Sequence, residues 1–314
     1  METIVFVLGY RSKPFIERGY FEKIKNATNQ LNDAKLVFLD NYSRDGAIRY
    51  LYDNYADIDI LLSPRNYMYC RAINFGLQYI YYRYNPKYYI LVDSDNPCHI
   101  NAYCQLVDYA KQHLSAGMIQ PLVRKMNDPS RLYSCGHYID EEYNCRTLKK
   151  MPDDLAMLDD LMSCSISSTL IKRELFIKCG LLDTQYEMYW ESMDLAFRAR
   201  KEGFKCACCT SASTFNEGGR LTDIDSFHER YYRTRNKIVF YWKHDKRTFQ
   251  IVMKTLEKTL ELLNNKNSKS EFGLSVEEES IRQGIIDGLT LTRANRYSHP
   301  RITDFTKGNI ILIR

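Results

Sequence analysis

Two carboxylates one residue apart follow an apolar run that predicts a buried strand. Asp93 and Asp95 stand near the end of the segment YYILVDSDNP, at residues 88–97. Carboxylate oxygens are the ligands that Mg²⁺ and Mn²⁺ prefer, and these hard ions often bind substrate phosphates as well. A lone Asp-x-Asp pair is also common in solvated turns, so its position at the end of a strand is what favours chemistry. The pattern therefore predicts a site where a divalent cation neutralises a diphosphate.

A second acidic pair lies in the segment MYWESMDLAFRARKEGFKC, at residues 188–206. Glu191 and Asp194 are three residues apart at the predicted start of a helix, where the helix dipole favours negative charge. Arg198 follows Asp194 by four residues, which is the spacing of an ion pair within a helix. A well-capped surface helix would show the same pattern. The alternative is that Glu191 acts as a general base at the mouth of the site.

Strand and helix patterns alternate through the first half of the chain. We expect five strands, in the segments TIVFVLGY, AKLVFLDN, DIDILLSP, YYILVDSD and AGMIQPLV. Between them we expect helices in FIERGYFEKIKNATNQL, SRDGAIRYLYDNY and YCRAINFGLQYIYYRY, the second of them capped by Ser43. Continuous apolar strands alternating with helices are typical of the α/β class, with a mostly parallel sheet flanked by helices.

The acidic residues stand where such a sheet binds its ligands. Ligands of open parallel sheets lie beyond the carboxyl ends of the strands. Asp40, Asp93 and Asp95 all follow predicted strands at those ends. We therefore expect the three carboxylates to line one shared crevice. No G-x-G-x-x-G follows the first strand and no G-x-x-x-x-G-K-[ST] occurs in the chain, which argues against glycine-cradled phosphate sites of those two kinds.

The composition is that of an ordinary globular protein with a mild positive charge. The 314 residues carry a net charge of +5, which suits an anionic small substrate but does not indicate nucleic acid. No apolar run approaches the roughly 20 residues of a membrane span, and the start of the chain has the pattern of a strand instead of a signal peptide. The 10 cysteines form no pair of C-x-x-C motifs. We expect reduced structural thiols in a cytoplasmic protein, or one at the inner face of the membrane.

The character of the chain changes at about Lys246. The segment TFQIVMKTLEKTLELL predicts an amphipathic helix, NNKNSKSEFG a polar linker, and SVEEESIRQGIIDGLTL a further helix capped by Ser275. We therefore divide the chain into a main domain at residues 1–245 and a C-terminal helical extension at residues 246–314. Such an extension suits either a homodimer contact or peripheral docking on a membrane surface.

The order of five segments resembles glycosyltransferase family 2, in its rhamnosyltransferase-like and galactofuranosyltransferase-like branch. The segments are LVFLDNYSRDG, SPRNYMYCRAINFG, ILVDSDNP, SSTLIKRELFIKCGLLDTQYEMYWESMDLAFRARKEGF and ERYYRTRNKIVFYWKH, and the resemblance covers roughly residues 3–245. It implies a GT-A fold, with a Rossmann-like, mostly parallel sheet. It also implies an inverting transfer of a sugar from a UDP, dTDP or GDP donor to a hydroxyl of a glycan or lipid-linked glycan, assisted by Mn²⁺ or Mg²⁺.

The resemblance also implies which side chains form the site. Those facing the nucleotide sugar are Asp40, Asn66, Asn74, Asp93 and Arg235. The catalytic acids are Glu191 and Asp194, the metal ligands are Asp95 and Asn216, and the aromatic residue facing the acceptor sugar is Trp190. Arg235 belongs to a late Arg-Asn pair, completed by Asn236, in which a cation could face the diphosphate.

One departure from the family pattern concerns the base. The acid that serves as catalytic base in the family is replaced by Ser192. Glu191 or Asp194 then has to take that role, or an acid from elsewhere does, or the activity is weak or altered. The rival hypothesis is a degenerate member that binds nucleotide sugar or glycan without turning it over.

A second departure concerns the metal. A histidine that often ligates the ion in the family is replaced by Asn216, with Glu217 and His228 as other candidates for that role. Glu217 offers the better oxygen for a hard ion. A third hypothesis is a nucleotidyltransferase of similar sheet topology, although the glycine-rich, basic first loop of that class is missing here.

Overall fold

A nine-stranded sheet forms the centre of the protein. The structure is a computed structural model that describes residues 1–217, 226–269, 273–294, 299–304 and 311–312. The strands of this sheet and of a separate hairpin are β1 (Thr3–Gly9), β2 (Ala34–Asp40), β3 (Asp59–Leu62), β4 (Tyr88–Asp93), β5 (Ala116–Lys125), β6 (Asp128–Ser134), β7 (His137–Ile139), β8 (Cys145–Thr147), β9 (Thr169–Lys172), β10 (Lys205–Asn216) and β11 (Ile311–Leu312).

The sheet is mostly parallel in the part that the sequence predicts. Its strand order is β10-β5-β9-β4-β1-β2-β3-β11, with β6 beside β5, while β7 and β8 form the separate hairpin. β1 is parallel to β2 and β4, β2 is parallel to β3, and β5 is parallel to β10. Only β9 interrupts this region, since it runs antiparallel between β4 and β5. The five predicted strands are β1 to β5, and the α/β class is confirmed.

Helices flank this sheet and continue beyond it. Those of the described residues are α1 (Lys13–Glu17), α2 (Tyr20–Thr28), α3 (Ala47–Asn54), α4 (Met68–Tyr84), α5 (Ala102–Gln112), α6 (Arg173–Cys179), α7 (Glu191–Lys201), α8 (Ser226–His244), α9 (Lys246–Lys269) and α10 (Val276–Ala294), with a short 3₁₀ helix at Leu155–Asp159.

Two predicted helices break or begin at glycines. The helix predicted after the first strand divides into α1 and α2 at Gly19, whose φ is 75°. The helix predicted from Ser43 begins at Ala47, after Gly46 with a φ of 88°. Ser43 does not cap it, because it lies three residues before Gly46, and its hydroxyl accepts from the N–H of Arg11 at 2.9 Å while donating to the carboxylate of Asp40. The predicted cap at Ser43 is therefore wrong.

Alternate residues of β1 point into two layers of core. Phe6 belongs to the apolar cluster that includes α4, whereas Val5 and Val7 belong to the cluster on the opposite face. Gly76 of α4 lies so close to Phe6 that a β-carbon there would be 2.0 Å from the ring. The absence of a side chain at Gly76 therefore lets α4 pack closely against the middle of β1.

The C-terminal helices pack on α8. A β-carbon at Gly284 would lie 2.8 Å from the carbonyl oxygen of Tyr231, so α10 approaches α8 closely. α9 continues to Lys269, which corrects the linker predicted from residue 264. Ser275 caps α10 as predicted, because its N–H donates to the carboxylate of Glu278 and its hydroxyl accepts from the N–H of Glu278. None of the described helices combines the length and the apolar character that crossing a bilayer requires.

Candidate functional site

Side chains near the carboxyl ends of the strands line a cavity of about 340 Å³, named here the central cavity. Four of the predicted site residues come together in it, namely Asp93, Trp190, Glu191 and Asn216. The full lining is Tyr69, Asp93, Tyr133, Ser134, His137, Cys145, Thr147, Ser165, Ile166, Ser167, Met188, Tyr189, Trp190, Glu191, Ser192, Asn216 and Arg233.

Asp40 lines a different cavity of about 470 Å³, named here the β2 cavity. β1 lies between β2 and β4, and its Gly9 and Leu8 pair with Asp40 and Asp93, respectively. The backbones of the two residues therefore stand at the same edge of the sheet, two strand spacings or about 10 Å apart. Since Gly9 and Leu8 are neighbours on β1, the two carboxylates point to opposite faces of the sheet. The single crevice expected from the sequence is thus two cavities along one edge.

Asp93 and Asp95 carry carboxylates that burial makes costly to ionise. Burial and then the charge of Asp95 raise the pKa of Asp93, whose Oδ1 accepts a hydrogen bond from the hydroxyl of Tyr69 at 3.2 Å. Burial likewise raises the pKa of Asp95, and the charge of Glu217 adds to the effect. A divalent cation would reverse both effects, because it favours the ionised carboxylates. The pair therefore fits a cation site.

A cation at this pair would need oxygen ligands from other sources. Within the described ranges, no three His, Cys, Asp or Glu side chains are grouped so that they could hold a metal ion. Mg²⁺ and similar hard ions often complete their shell with water and substrate phosphates. Asn216, at the end of β10, lines the central cavity and donates from Nδ2 to Oδ1 of Asn96 at 2.8 Å. Its side-chain amide also carries an oxygen, which is a ligand type that a hard ion accepts.

Glu217 and His228, the other candidates for the metal, have different positions. Glu217 accepts from the hydroxyl of Tyr20 and from Nη1 of Arg18, at 2.7 and 2.9 Å for its two oxygens. These hydrogen bonds, that from Tyr20 first, hold the pKa of Glu217 below its usual value. His228 is exposed on α8. Neither residue lines the central cavity, and nor does Asp95, whereas Asn216 and Asp93 do.

Glu191 is the first residue of α7 and is only 8% exposed. Its Oε2 is buried and has no hydrogen-bond partner among the described residues. Burial raises the pKa of this carboxyl to about 7. A group with that pKa is balanced between its two protonation states near neutral pH, which suits a general base. Ser192, the next residue, also lines the central cavity.

The turn that presents Glu191 has an unusual backbone. Glu187, Tyr189 and Trp190 have φ values of 59°, 63° and 68°, a region that residues with a β-carbon adopt rarely and at a cost. Trp190 is 5% exposed, and its ring lies 4.9 Å from that of Phe240 between centroids. The indole is therefore held mainly by protein, with a small part of it left to line the central cavity.

The predicted Arg-Asn pair on α8 braces this turn. Nδ2 of Asn236 donates to the carbonyl oxygens of Tyr186, Met188 and Tyr189 at 2.8, 2.7 and 2.9 Å. Arg235 is 6% exposed and donates to the carbonyl oxygen of Tyr186 at 3.1 Å. Arg235 lines neither the central cavity nor the β2 cavity. Its position favours support of the turn over contact with a diphosphate.

Asp194 is fully buried and surrounded by three basic side chains. It pairs with Arg198 at 2.8 Å, as the sequence spacing predicts, and with Lys243 at 2.6 Å and His244 at 2.8 Å. Burial would raise the pKa of Asp194, but the charge of Arg198, the hydrogen bond to His244 and the charge of Lys243 pull it far below its usual value. A carboxylate so stable as an anion accepts a proton poorly. Asp194 does not line the central cavity, and its position favours anchoring α7 to the end of α8.

The two predicted asparagines of the nucleotide pocket lie outside both cavities. Asn74 is 3% exposed and exchanges two hydrogen bonds with the backbone of Leu182, at 2.8 and 3.0 Å. Asn66 is exposed, and its Oδ1 accepts from Nδ2 of Asn41 at 3.0 Å and from the N–H of Met68 at 2.8 Å. Asn74 therefore holds α4 to the loop before α7, and Asn66 shapes the start of α4.

The β2 cavity places a carboxylate beside an aromatic ring. Asp40 is 5% exposed, and burial raises its pKa against the hydrogen bonds from Ser43. The guanidinium of Arg44 lies 4.1 Å from the centre of the Tyr42 ring, and both residues line the cavity. The lining is completed by Asp45, Gly46, Ile48, Leu62, Ser63 and Pro64. This arrangement suits a flat, hydrogen-bonding ligand.

Several residues of the central cavity were not predicted from the sequence. His137, on β7, has its pKa lowered to about 4 by burial and then by the charge of Arg233, so the ring is neutral. Arg233 is half-exposed, and its guanidinium lies 4.6 Å from the centre of the Tyr189 ring. Arg233 is three residues before Asn236 on α8, and such residues share one face of a helix. That spacing could have identified Arg233 as a site residue, whereas the sequence around His137 contains no motif that would predict its position.

Comparisons with known proteins agree with this fold. Residues 17–180 match the sequence model of Glycosyl transferase family 2. No curated protein matches the chain in a sequence search. TarS of S. aureus superimposes with a TM-score of 0.53 at 12% identity, over 94% of this chain and 74% of that one. A further TarS structure contains UDP-GlcNAc.

Two other solved structures contain a metal ion. The mannosyltransferase PcManGT of Pyrobaculum calidifontis, in complex with GDP-Man and Mn²⁺, has a TM-score of 0.55 at 12% identity, over 94% of this chain and 76% of that one. GalNAc-T7 with UDP, GalNAc and Mn²⁺ has a TM-score of 0.54 at 13% identity, over 81% of this chain and 56% of that one. Identities this low show a shared fold and no more, and that fold is the predicted GT-A fold.

Proposed function

Because the chain belongs to glycosyl transferase family 2, we propose that it transfers a sugar from a nucleoside diphosphate to a hydroxyl of a glycan or lipid-linked glycan. One observation carries the proposal: the central cavity holds a buried carboxylate oxygen of Glu191 that lacks a partner among the described residues, together with Asp93. Burying such a group is costly for folding alone, so its presence favours a role in chemistry. The rhamnosyl-type or galactofuranosyl-type branch is part of the proposal and rests on the order of the sequence segments.

The donor would lie along the carboxyl edge of the sheet, with its base in the β2 cavity. Asp40 can accept a hydrogen bond from the ring N–H that uracil, thymine and guanine share, which favours UDP, dTDP or GDP. Tyr42 offers an aromatic face to the base. Asp93 stands two strands away in the central cavity, where the donor sugar would follow. Donors of this class in two of the similar structures, UDP-GlcNAc and GDP-Man, support the proposal.

The same edge would hold Mn²⁺ or Mg²⁺ through Asp95 and the amide oxygen of Asn216. When bound, such an ion supplies electrostatic stabilisation of a leaving diphosphate. The raised pKa values of Asp93 and Asp95 support the site, because a cation relieves the cost of ionising both carboxylates. Mn²⁺ in two of the similar structures is further support.

Glu191 would take the proton of the acceptor hydroxyl as that oxygen attacks the anomeric carbon. A new bond forms from the acceptor oxygen to this carbon, while the bond to the diphosphate breaks on the opposite face. The diphosphate leaves with the electron pair, and the configuration inverts. A serine hydroxyl such as that of Ser192 cannot take a proton at neutral pH unless another group acts as its base. Since the position of Asp194 favours anchoring α7, Glu191 is the acid that the geometry supports. The accessible part of Trp190 would contact the acceptor sugar.

The remaining features of the chain are consistent with this function. All ten cysteines are free thiols, and all but Cys104 and Cys145 are buried, which supports a reducing cytoplasmic location. We retain the division at residue 245 and the homodimer or membrane-surface contact of the C-terminal helices as proposals. The rival hypothesis of a binding protein without turnover rests on Ser192 and Asn216, and the buried carboxylate of Glu191 argues against it.

The test is a panel of UDP-, dTDP- and GDP-sugars with Mn²⁺, in which thermal shift reports binding and chromatography identifies the released nucleotide. We expect one donor to raise the melting temperature by mass action and to release its nucleoside diphosphate slowly by hydrolysis. Release of pyrophosphate would indicate the nucleotidyltransferase instead. Binding without release, even with acceptor mixtures, would favour the binding protein without turnover.

A further inference from the structure

A second cavity of about 240 Å³ shares part of its wall with the central cavity. Trp190 and Arg233 line both cavities. Arg146 of β8 and Lys237 of α8 line only the second, which is named here the basic cavity. Among the residues that the structure describes, three cations and no carboxylate line it. The basic cavity is therefore built for negative charge and opens beside the candidate base.

Two of the three cations of the basic cavity pair with carboxylates outside it, and Lys237 pairs with none among the described residues. Arg233 is half-exposed and pairs with Glu229 at 3.1 Å. Arg146 pairs with Asp140 at 2.6 Å, and both side chains are partly exposed, so solvent screens that pair. Lys237 donates to the carbonyl oxygen of Glu142 at 2.7 Å and to Oδ1 of Asn144 at 2.9 Å. In the described ranges, no carboxylate forms an ion pair with Lys237.

Burial leaves the charged ammonium of Lys237 poorly solvated, so a bound anion would stabilise it. Burial lowers the pKa of Lys237, because water solvates the charged form less well inside the protein. An anion entering the cavity would supply the missing counter-charge. Arg146 and Arg233 carry planar forks of N–H donors, whose geometry matches the oxygens of a phosphate.

We propose that the basic cavity binds a phosphate group of the acceptor while the acceptor hydroxyl faces Glu191. This inference rests on the proposed function, since it takes the central cavity as the place of transfer. Trp190 supports the arrangement, because it lines both cavities and precedes Glu191 in the chain. The acceptor is thus a phosphorylated glycan or a glycan linked to a lipid phosphate.

The C-terminal helices take part in this site. Leu256 of α9 and Ile281 of α10 line the basic cavity and give it an apolar portion beside the cations. The donor diphosphate is a less suitable occupant, because Arg146 and Lys237 line neither the β2 cavity nor the central cavity. The extension at residues 246–314 would therefore complete the acceptor site as well as pack on α8.

The test uses the full chain saturated with the nucleoside diphosphate that the donor panel identifies, plus Mg²⁺, so that the donor site is blocked. Methyl phosphate and farnesyl phosphate are titrated while tryptophan fluorescence is recorded, since Trp190 is one of only 2 tryptophans. Farnesol is the uncharged control. The variants are Lys237→Gln and Arg146→Gln, each of which removes one cation of the basic cavity.

The matched control is Lys201→Gln, which removes one exposed charge from the last residue of α7. That residue lies roughly 15 Å along the helix from Glu191. We expect phosphate to bind about tenfold more weakly to Lys237→Gln and Arg146→Gln, and unchanged to Lys201→Gln. Equal binding of methyl and farnesyl phosphate identifies a soluble phosphorylated acceptor, and tighter binding of farnesyl phosphate identifies a lipid-linked one.

Three results would overturn the basic cavity as a phosphate site. They are unchanged phosphate affinity in both cavity variants, equal weakening in Lys201→Gln, and binding of farnesol as tight as that of farnesyl phosphate. If no nucleoside diphosphate binds, the proposed function fails by itself. The phosphate titration of the unliganded chain then still decides the basic cavity, so the two failures are distinguishable.

Discussion

Replacing Glu191 by Gln should separate the catalytic value of this carboxylate from its cost to the fold. An ordinary glutamate has a pKa of 4.5, and burial raises that of Glu191 to about 7. As the pH rises between these values, the unfolded chain releases a proton that the folded chain keeps, so the folded state loses stability. The loss is under about 1 kcal/mol at pH 5 and about 3 kcal/mol at pH 8, from 1.36 kcal/mol per pKa unit.

Glutamine does not ionise, so the variant should escape this loss. We expect the stability of Glu191→Gln relative to the wild type to increase by about 2–3 kcal/mol between pH 5 and pH 8. The comparison across pH cancels any constant effect of the amide on packing. Chemical unfolding at the two pH values measures the difference. Glu202→Gln, at the exposed C-terminal end of α7, is the matched control and should show no such trend.

The same substitution should lower the rate of transfer by about 10²–10⁴-fold, the usual contribution of a general base. In the wild type, the rate should rise with pH through about 7 and level off above it, because Glu191 has to be ionised to accept the proton. Unchanged turnover in Glu191→Gln would assign the base to another residue. Equal pH dependence of stability in variant and wild type would show that Glu191 is not a strained buried acid.

Three further substitutions test the metal ligand, the turn before Glu191 and the packing of α4. Asp95→Ala should abolish transfer and the stabilisation by Mn²⁺ while circular dichroism stays unchanged; retained activity would contradict its assignment to the metal. Asn236→Ala removes the donor to the carbonyl oxygens of Met188 and Tyr189, whereas the oxygen of Tyr186 keeps Arg235, and should cost about 2–4 kcal/mol and reduce turnover. Full activity would show that the turn holds its shape without Asn236. Gly76→Ala places a β-carbon 2.0 Å from the Phe6 ring and should lower stability by at least about 2 kcal/mol in chemical unfolding, and a stable variant would mean that α4 can shift.

The central strands were predictable because their signal is local. β1 to β5 are short apolar runs buried on both faces, and carboxyl ends of parallel strands meet at one edge whatever the rest of the chain does. The strand pattern alone therefore predicts that Asp40 and Asp93 share an edge, and the register of β1 with β2 and β4 confirms it. The cap at Ser43 failed because the oxygen of Ser43 accepts from the N–H of Arg11, a residue that is distant in sequence, and the helix begins only after Gly46.

The different environments of Glu191 and Asp194 were not predictable from the sequence. Glu191 and Asp194 are three residues apart on α7, a spacing that usually gives them a common environment. Lys243 and His244, about fifty residues further along the chain, surround Asp194 and leave Glu191 to the cavity. Only tertiary packing supplies these partners, so the sequence could present the two acids only as alternatives.

One face of α8 connects these observations. Arg233, Asn236, Lys237 and Phe240 follow each other at the spacing of a single helix face. Phe240 packs on Trp190, Asn236 holds the backbone before it, and the two cations line the basic cavity. Since α10 packs closely along α8, a change in the C-terminal helices would move the turn that presents Glu191. Cutting the chain at residue 245 should therefore reduce transfer even if donor binding at the β2 cavity survives. Equal activity of the truncated and full chains would show that α8 keeps its position alone.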